Sequence, residues 1–136
     1  MYLIDTNIFL EVELGEEHAA ACERLLKKVK DAGLSAYVTD FTVDSVALVM
    51  ENYGRSWRDL RRFFAGLLLY KGLRIHYLSL PDRVAAATIM KQHGLDFDDA
   101  LAYQGMKSHG IKEIISYDEH FDKVSVIKRF TPQELL

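Results

Sequence analysis

Carboxylates with neighbours suited to chemistry occur at four places in the chain. Asp5-Thr6-Asn7 directly follows Tyr2, Leu3 and Ile4, a compact apolar run with the character of a short buried strand. Asp, Thr and Asn favour helix starts and turns, so the plainest role for Asp5 is a helix N-cap. Asp118 repeats that position just past the strand predicted over Glu113 to Ser116. Asp96, Asp98 and Asp99 place three acids in four residues at a helix start. The helix dipole favours acids in a first turn, but three exceed what capping needs, and they repel one another unless a cation is present. Asp44 lies inside Phe41 to Tyr53, a segment apolar nearly all round, where an isolated charge must find a partner. An oxygen-rich set without Cys or His ligands suits Mg²⁺ or Mn²⁺. Such ions activate water and stabilise the leaving oxygen of a phosphodiester.

Whether these acids meet depends on the elements that carry them. Periodicity predicts strands at Tyr2 to Ile4, Ala36 to Thr39, Leu73 to Leu78, Glu113 to Ser116 and Val124 to Ile127. Helices are expected over Asn7 to Leu14, Glu16 to Asp31 with Gly33 as its C-terminal cap, and Phe41 to Tyr53. A capping box at Ser56 and Asp59 opens the next, which should run on to Gly72. Further helices begin at Pro81, at Asp96 and at Thr131-Pro132. Strands alternating with helices imply an α/β fold with a parallel sheet and helices on both faces. In such a sheet ligands bind just outside the carboxyl ends of the strands. Asp5 and Asp118 would emerge at that edge, with the helix starts at Asp40 and Asp96 beside them.

Composition limits the alternatives. The 136 residues suit one domain, with 49% apolar and 27% charged residues as in an ordinary globular protein. Phe63 to Tyr70 is the longest apolar run, far short of the roughly 20 residues that a membrane span needs. No basic flank and apolar run mark a signal peptide, so the expected location is the cytoplasm. Cys22 stands alone, which excludes an internal disulfide and a cysteine-cluster zinc site. The five histidines are scattered, and no pair has ligand-like spacing along the chain. Net charge is −3, so nucleic-acid binding would need grouped basic residues. Arg55, Arg58, Arg61 and Arg62, next to Trp57, are the densest such group. Lys107 and Lys112 are further candidates.

Three stretches together resemble the PIN-domain family over essentially the whole chain: Asp5-Thr6-Asn7-Ile8-Phe9-Leu10, Gly94-Leu95-Asp96-Phe97-Asp98-Asp99-Ala100-Leu101 and Ser116-Tyr117-Asp118-Glu119-His120-Phe121. The likeness is greatest to the small prokaryotic members that act as VapC-type toxins of toxin–antitoxin pairs. The resemblance implies a three-layer fold with a five-stranded parallel sheet and a Mg²⁺- or Mn²⁺-dependent ribonuclease. It also implies an RNA substrate, an antitoxin partner and frequent homodimers. By motif, Asp5, Asp99 and Asp118 match the family's acids that hold the metal. Asn7 and Ser116 match polar positions that orient them.

One position departs from the pattern. The family carries a Glu in the buried helix, and the alignment places Ser45 there. Asp44 is the expected substitute, one residue earlier and so turned by about 100° on an ideal helix; Glu51 lies roughly 10 Å further along. This leaves a second reading, a catalytically weakened PIN domain that binds RNA or a protein partner. A phosphatase of the haloacid-dehalogenase type also begins with an Asp after the first strand. That chemistry wants a second Asp two residues on, where this chain has Asn7.

Overall fold

The structure, a computed structural model, describes all residues 1–136. Five strands, β1 (Tyr2–Ile4), β2 (Ala36–Thr39), β3 (Leu73–His76), β4 (Glu113–Ile115) and β5 (Lys128–Phe130), form one sheet in the order β3-β2-β1-β4-β5. Every neighbouring pair is parallel, as the alternation of strands and helices predicts. Six helices connect them: α1 (Thr6–Leu14), α2 (Ala19–Lys30), α3 (Asp40–Asn52), α4 (Trp57–Leu67), α5 (Leu80–His93) and α6 (Phe97–Ser108). Short 3-10 turns occupy Glu119–Lys123 and Pro132–Leu135.

The period-2 alternation of strand side chains divides the core into two layers. Leu3 and Ile114 face α5 and α6, and they pack with Ala86, Ile89, Leu101, Met106 and Phe121. Ile4 and Ile115, one residue on, face the opposite side. There they pack with Ile8 and Phe9 of α1, Leu25 and Val29 of α2, Val46 and Met50 of α3, and Phe63 of α4. Both faces of the sheet are thus covered by helices, giving three layers.

Chain order sets where a crevice can open. From β1 the chain moves outward through β2 to β3, then returns across the sheet to β4 and continues the other way to β5. The connections after β1 and β4 therefore diverge, which makes their carboxyl ends the topological switch point.

Several boundaries differ from the sequence expectation. β5 is Lys128–Phe130, and not Val124 to Ile127. Val124 and Ile127 are buried, but from a turn closed by the Ile127 N–H donating to the Val124 carbonyl at 3.0 Å. Apolar burial there comes without strand geometry, while the true strand is a charged sheet edge. The α4 helix stops at Leu67, and Leu68 and Leu69 stand exposed beyond it. At the end of α2 the left-handed residue is Ala32, at φ 62°, and not Gly33. No helix is long and apolar enough to cross a membrane.

Candidate metal centre

At the switch point, the hydrogen-bonding capacity of two polar side chains fixes the first carboxylate. The Thr6 N–H donates to Asp5 Oδ1 at 2.8 Å, so Asp5 does cap α1. Its other oxygen, Oδ2, accepts from Asn7 Nδ2 at 3.0 Å and from Ser116 Oγ at 2.6 Å. Ser116, fully buried, also accepts from Asn7 Nδ2 at 3.2 Å and from the Asp118 N–H at 2.9 Å. A hydroxyl has one donor and two acceptor sites, and here all three are used. Asn7 Oδ1 in turn accepts from the Tyr117 N–H at 3.3 Å. The capping and chemical readings of Asp5 are therefore compatible: one oxygen caps a helix and the other is locked across the gap between β1 and β4.

Asp99 arrives from a third element. The side chain of Asp96 caps α6 by accepting from the Asp99 N–H at 2.9 Å, which sets the first turn of that helix against the sheet edge. Asp99 is 5% exposed, and its Oδ2 is buried with no hydrogen-bond partner. Asp118, half-buried, follows β4 and accepts at Oδ1 from the His120 N–H at 2.8 Å. His120 Nδ1 then lies 3.0 Å from Asp118 Oδ1 and 3.5 Å from Asp99 Oδ2. One ligand atom each from Asp99, Asp118 and His120 falls within a 4.8 Å group.

The electrostatics are those of acids crowded together with no Lys or Arg among them. No Lys or Arg forms an ion pair with Asp5, Asp98, Asp99 or Asp118. Burial pushes the Asp5 carboxyl up to about 6, against the opposing pull of its Ser116 and Thr6 hydrogen bonds. Burial, followed by the neighbouring charges of Asp118, Asp96, Asp5 and Asp98, pushes Asp99 up to about 8. An unpartnered buried carboxylate oxygen among other acids is costly, and a divalent cation would satisfy it. The donor set therefore fits a divalent cation.

A cleft of about 450 Å³ opens over this cluster. Asp5, Asp98, Asp99 and Asp118 line its floor and rim together with Asn7, and Leu10, Phe41, Leu48 and Val49 form an apolar wall. Phe41, Ser45, Leu48 and Val49 share a face of α3 at helical spacing, and Ser45 is the polar residue of that face. Asp44 is exposed and does not line the cleft, correcting the expected buried setting. The one-residue offset turns it towards water, so its charge needs no partner. Asp40 is not at the cluster either; its Oδ1 accepts from the Leu78 N–H at 2.9 Å and ties α3 to the segment after β3.

The basic candidates lie elsewhere. Arg55 donates to the Glu13 carbonyl at 3.3 and 3.4 Å. Arg58, Arg61 and Arg62 share an exposed surface of α4 with Trp57, and Arg58 stacks over its ring at 4.6 Å. Lys107 and Lys112 flank the far end of α6, about 18 Å along the helix from its acidic start. The histidines are less scattered in space than in sequence. His76 and His109 touch at 2.7 Å, and His120 joins the acids. Spacing along the chain hides both contacts. The clue to His120 was its place two residues after Asp118, inside a turn that doubles back.

Comparison with known proteins places this fold. The family model of the PIN domain matches residues 2–127. A comparison with curated protein sequences found no match. Among solved structures, the chain is similar to the Mycobacterium tuberculosis toxin VapC20, described as cleaving the sarcin–ricin loop. The TM-score is 0.73 at 16% identity, covering 90% of this chain and 93% of that one. It is similar to a chain of a toxin–antitoxin complex from Klebsiella pneumoniae, with TM-score 0.71, 17% identity and coverage of 97% and 98%. FitAcB from Neisseria gonorrhoeae gives 0.69 at 20% identity, covering 98% and 99%. With a family match over nearly its whole length and the same architecture in these structures, the chain belongs to the PIN-domain family.

Proposed function

We propose that this protein is a Mg²⁺- or Mn²⁺-dependent endoribonuclease and the toxin of a toxin–antitoxin pair. The observation that carries the proposal is Asp99 Oδ2, buried and unpartnered beside Asp5 and Asp118 at the switch point of the sheet. Asp5, Asp99 and Asp118 would hold the ion. Once bound, a divalent cation supplies activation of water and charge stabilisation at the phosphodiester oxygens. The remaining work falls to the chain's own side chains. Asn7 and Ser116 fix the Asp5 carboxylate and the turn that presents Asp118. Leu10, Phe41, Leu48 and Val49 give an apolar wall against which nucleobases pack while the phosphate faces the acids. Arg58, Arg61 and Arg62 offer phosphate contacts that position RNA without reading its sequence.

The partner part of the proposal has separate support. Structures of similar fold are described as toxin–antitoxin complexes. Here α4 and the residue that follows it expose Trp57, Phe64 and Leu68, an apolar surface of the kind that proteins bury against an antitoxin or a second copy in a homodimer. A second reading is favoured by one observation: Ser45 lines the cleft where the family carries Glu. It is a weakened PIN domain that binds RNA or a protein without cutting.

The test is cleavage of a panel of tRNA and single-stranded RNA with Mn²⁺ or Mg²⁺ against chelator, with Asp99→Asn run alongside. The account predicts cation-dependent cleavage by the native chain, with at least a hundredfold loss in Asp99→Asn (about 2.7 kcal/mol). Equal residual cleavage in both proteins would leave the binding-module reading.

A further inference from the structure

The cluster contains a donor that is not oxygen. His120 Nδ1 sits 3.0 Å from Asp118 Oδ1 and 3.5 Å from Asp99 Oδ2. Ligand atoms bonded to one ion at about 2.1 Å lie about 3.0 Å apart at a right angle and about 3.4 Å apart at a tetrahedral angle. The observed separations match neighbouring ligands of one ion. The backbone that carries the imidazole is also held in place. Its own backbone N–H bonds Asp118 Oδ1 at 2.8 Å, and Phe121, the next residue, is fully buried in the core. Independently, Asp99 Oδ2 is 95% removed from solvent at the residue level and has no partner, so it faces this group with its acceptor capacity unmet.

We infer that His120 is a ligand through Nδ1, so that Asp99, Asp118 and His120 form a mixed oxygen–nitrogen site favouring transition-metal ions over Mg²⁺. The inference rests on the proposed cation-holding role of the acids and deepens it. Mg²⁺ is bound by oxygen ligands, whereas imidazole suits Zn²⁺ and its first-row neighbours. An all-carboxylate version of the site would lack that preference. The side chain of His120 is 61% exposed, so its replacement leaves the core untouched.

The competing role for His120 is a hydrogen bond from Nδ1–H to Asp118, with no coordination. Two substitutions separate the roles. His120→Ala removes both functions, and His120→Gln keeps a hydrogen-bond donor while removing the imidazole. The probes are Mg²⁺, Mn²⁺, Co²⁺ and Zn²⁺ alone, titrated calorimetrically into the full-length chain, with the visible spectrum of bound Co²⁺ as a second readout. Coordination predicts a ten- to hundredfold loss of Zn²⁺ and Co²⁺ affinity in both variants, a loss under threefold for Mg²⁺, and an altered Co²⁺ spectrum. Circular dichroism should be unchanged. If His120→Gln binds all four ions as the native chain does, or if both variants weaken all four equally, coordination by His120 is overturned and the acid site stands. If the native chain binds no better than Asp99→Asn, the acid-site reading fails, and the inference with it.

Discussion

Asp99 is poised for a ligand at a cost to the folded chain. Its carboxyl is raised by burial and by four neighbouring acids, and its inner oxygen has no donor. Ser45 sets a different limit. It faces the cleft from the same stripe of α3 as Phe41, Leu48 and Val49, so a longer acidic side chain there would point at the cluster. Ser45→Glu is expected to raise cation affinity and cleavage about tenfold, whereas Asp44→Asn should leave both within about twofold. Paired kinetics of the two variants check this, and a larger effect at Asp44 would contradict the assigned faces. The residue scale was partly legible in the sequence. Asp5, Asp99 and Asp118 stand out because strand ends and helix starts announce their edge of the sheet. Asp44 was misplaced because a segment apolar on most sides looked buried on all sides, although one exposed face suffices for one carboxylate. His120 escaped notice because one of its partners, Asp99, comes from another element, and only the turn after Asp118 brings them together.

At the scale of elements, burial and backbone geometry need not coincide. Val124 and Ile127 carry a strand-like apolar signal, yet they fill the core from a turn, and pairing is done by the charged Lys128–Phe130 segment. The exit from α2 shows a similar displacement. Gly33 donates to the Lys28 carbonyl at 2.8 Å without needing a left-handed conformation, while Ala32 adopts φ 62°. The left-handed region costs a residue with a Cβ roughly 1 kcal/mol or more, and glycine bears no such cost. Ala32→Gly is therefore expected to stabilise the fold by about 0.5–1 kcal/mol. Urea unfolding should show a higher midpoint at an unchanged slope. Gly72 is the opposite case: a Cβ there would meet the Leu34 and Val29 carbonyl oxygens at 2.5 and 2.7 Å. Sequence reading assigned both glycines to helix ends, since it sees flexibility but not the close approach of another strand or loop.

For the whole molecule, topology makes the acidic site and also makes it destabilising without a ligand. The alternation of strands and helices was enough to predict the parallel sheet. The place of the crevice follows from a return crossover between β3 and β4, a feature of strand order rather than of any local segment. Convergence of Asp5 and Asp118 there has a consequence for stability. In the cation-free chain Asp5 and Asp99 titrate at about 6 and about 8, against a reference of 3.8. The folded state then binds more protons than the unfolded state across that interval. Their contribution is fully present below about pH 4 and is lost as pH rises through 6 and then 8. The melting temperature of chelator-treated protein should fall between pH 5 and pH 8.5. Asp99→Asn should remove the upper part of that fall, and a rising native profile would contradict the raised carboxyls. The most direct test of the cation site is anomalous scattering at the manganese edge from crystals grown with Mn²⁺. The account predicts a peak within bonding distance of Asp99 Oδ2 and an Asp118 carboxylate oxygen. Well-ordered crystals with no peak at the cluster, and Asp99 Oδ2 instead satisfied by a protein donor, would contradict it.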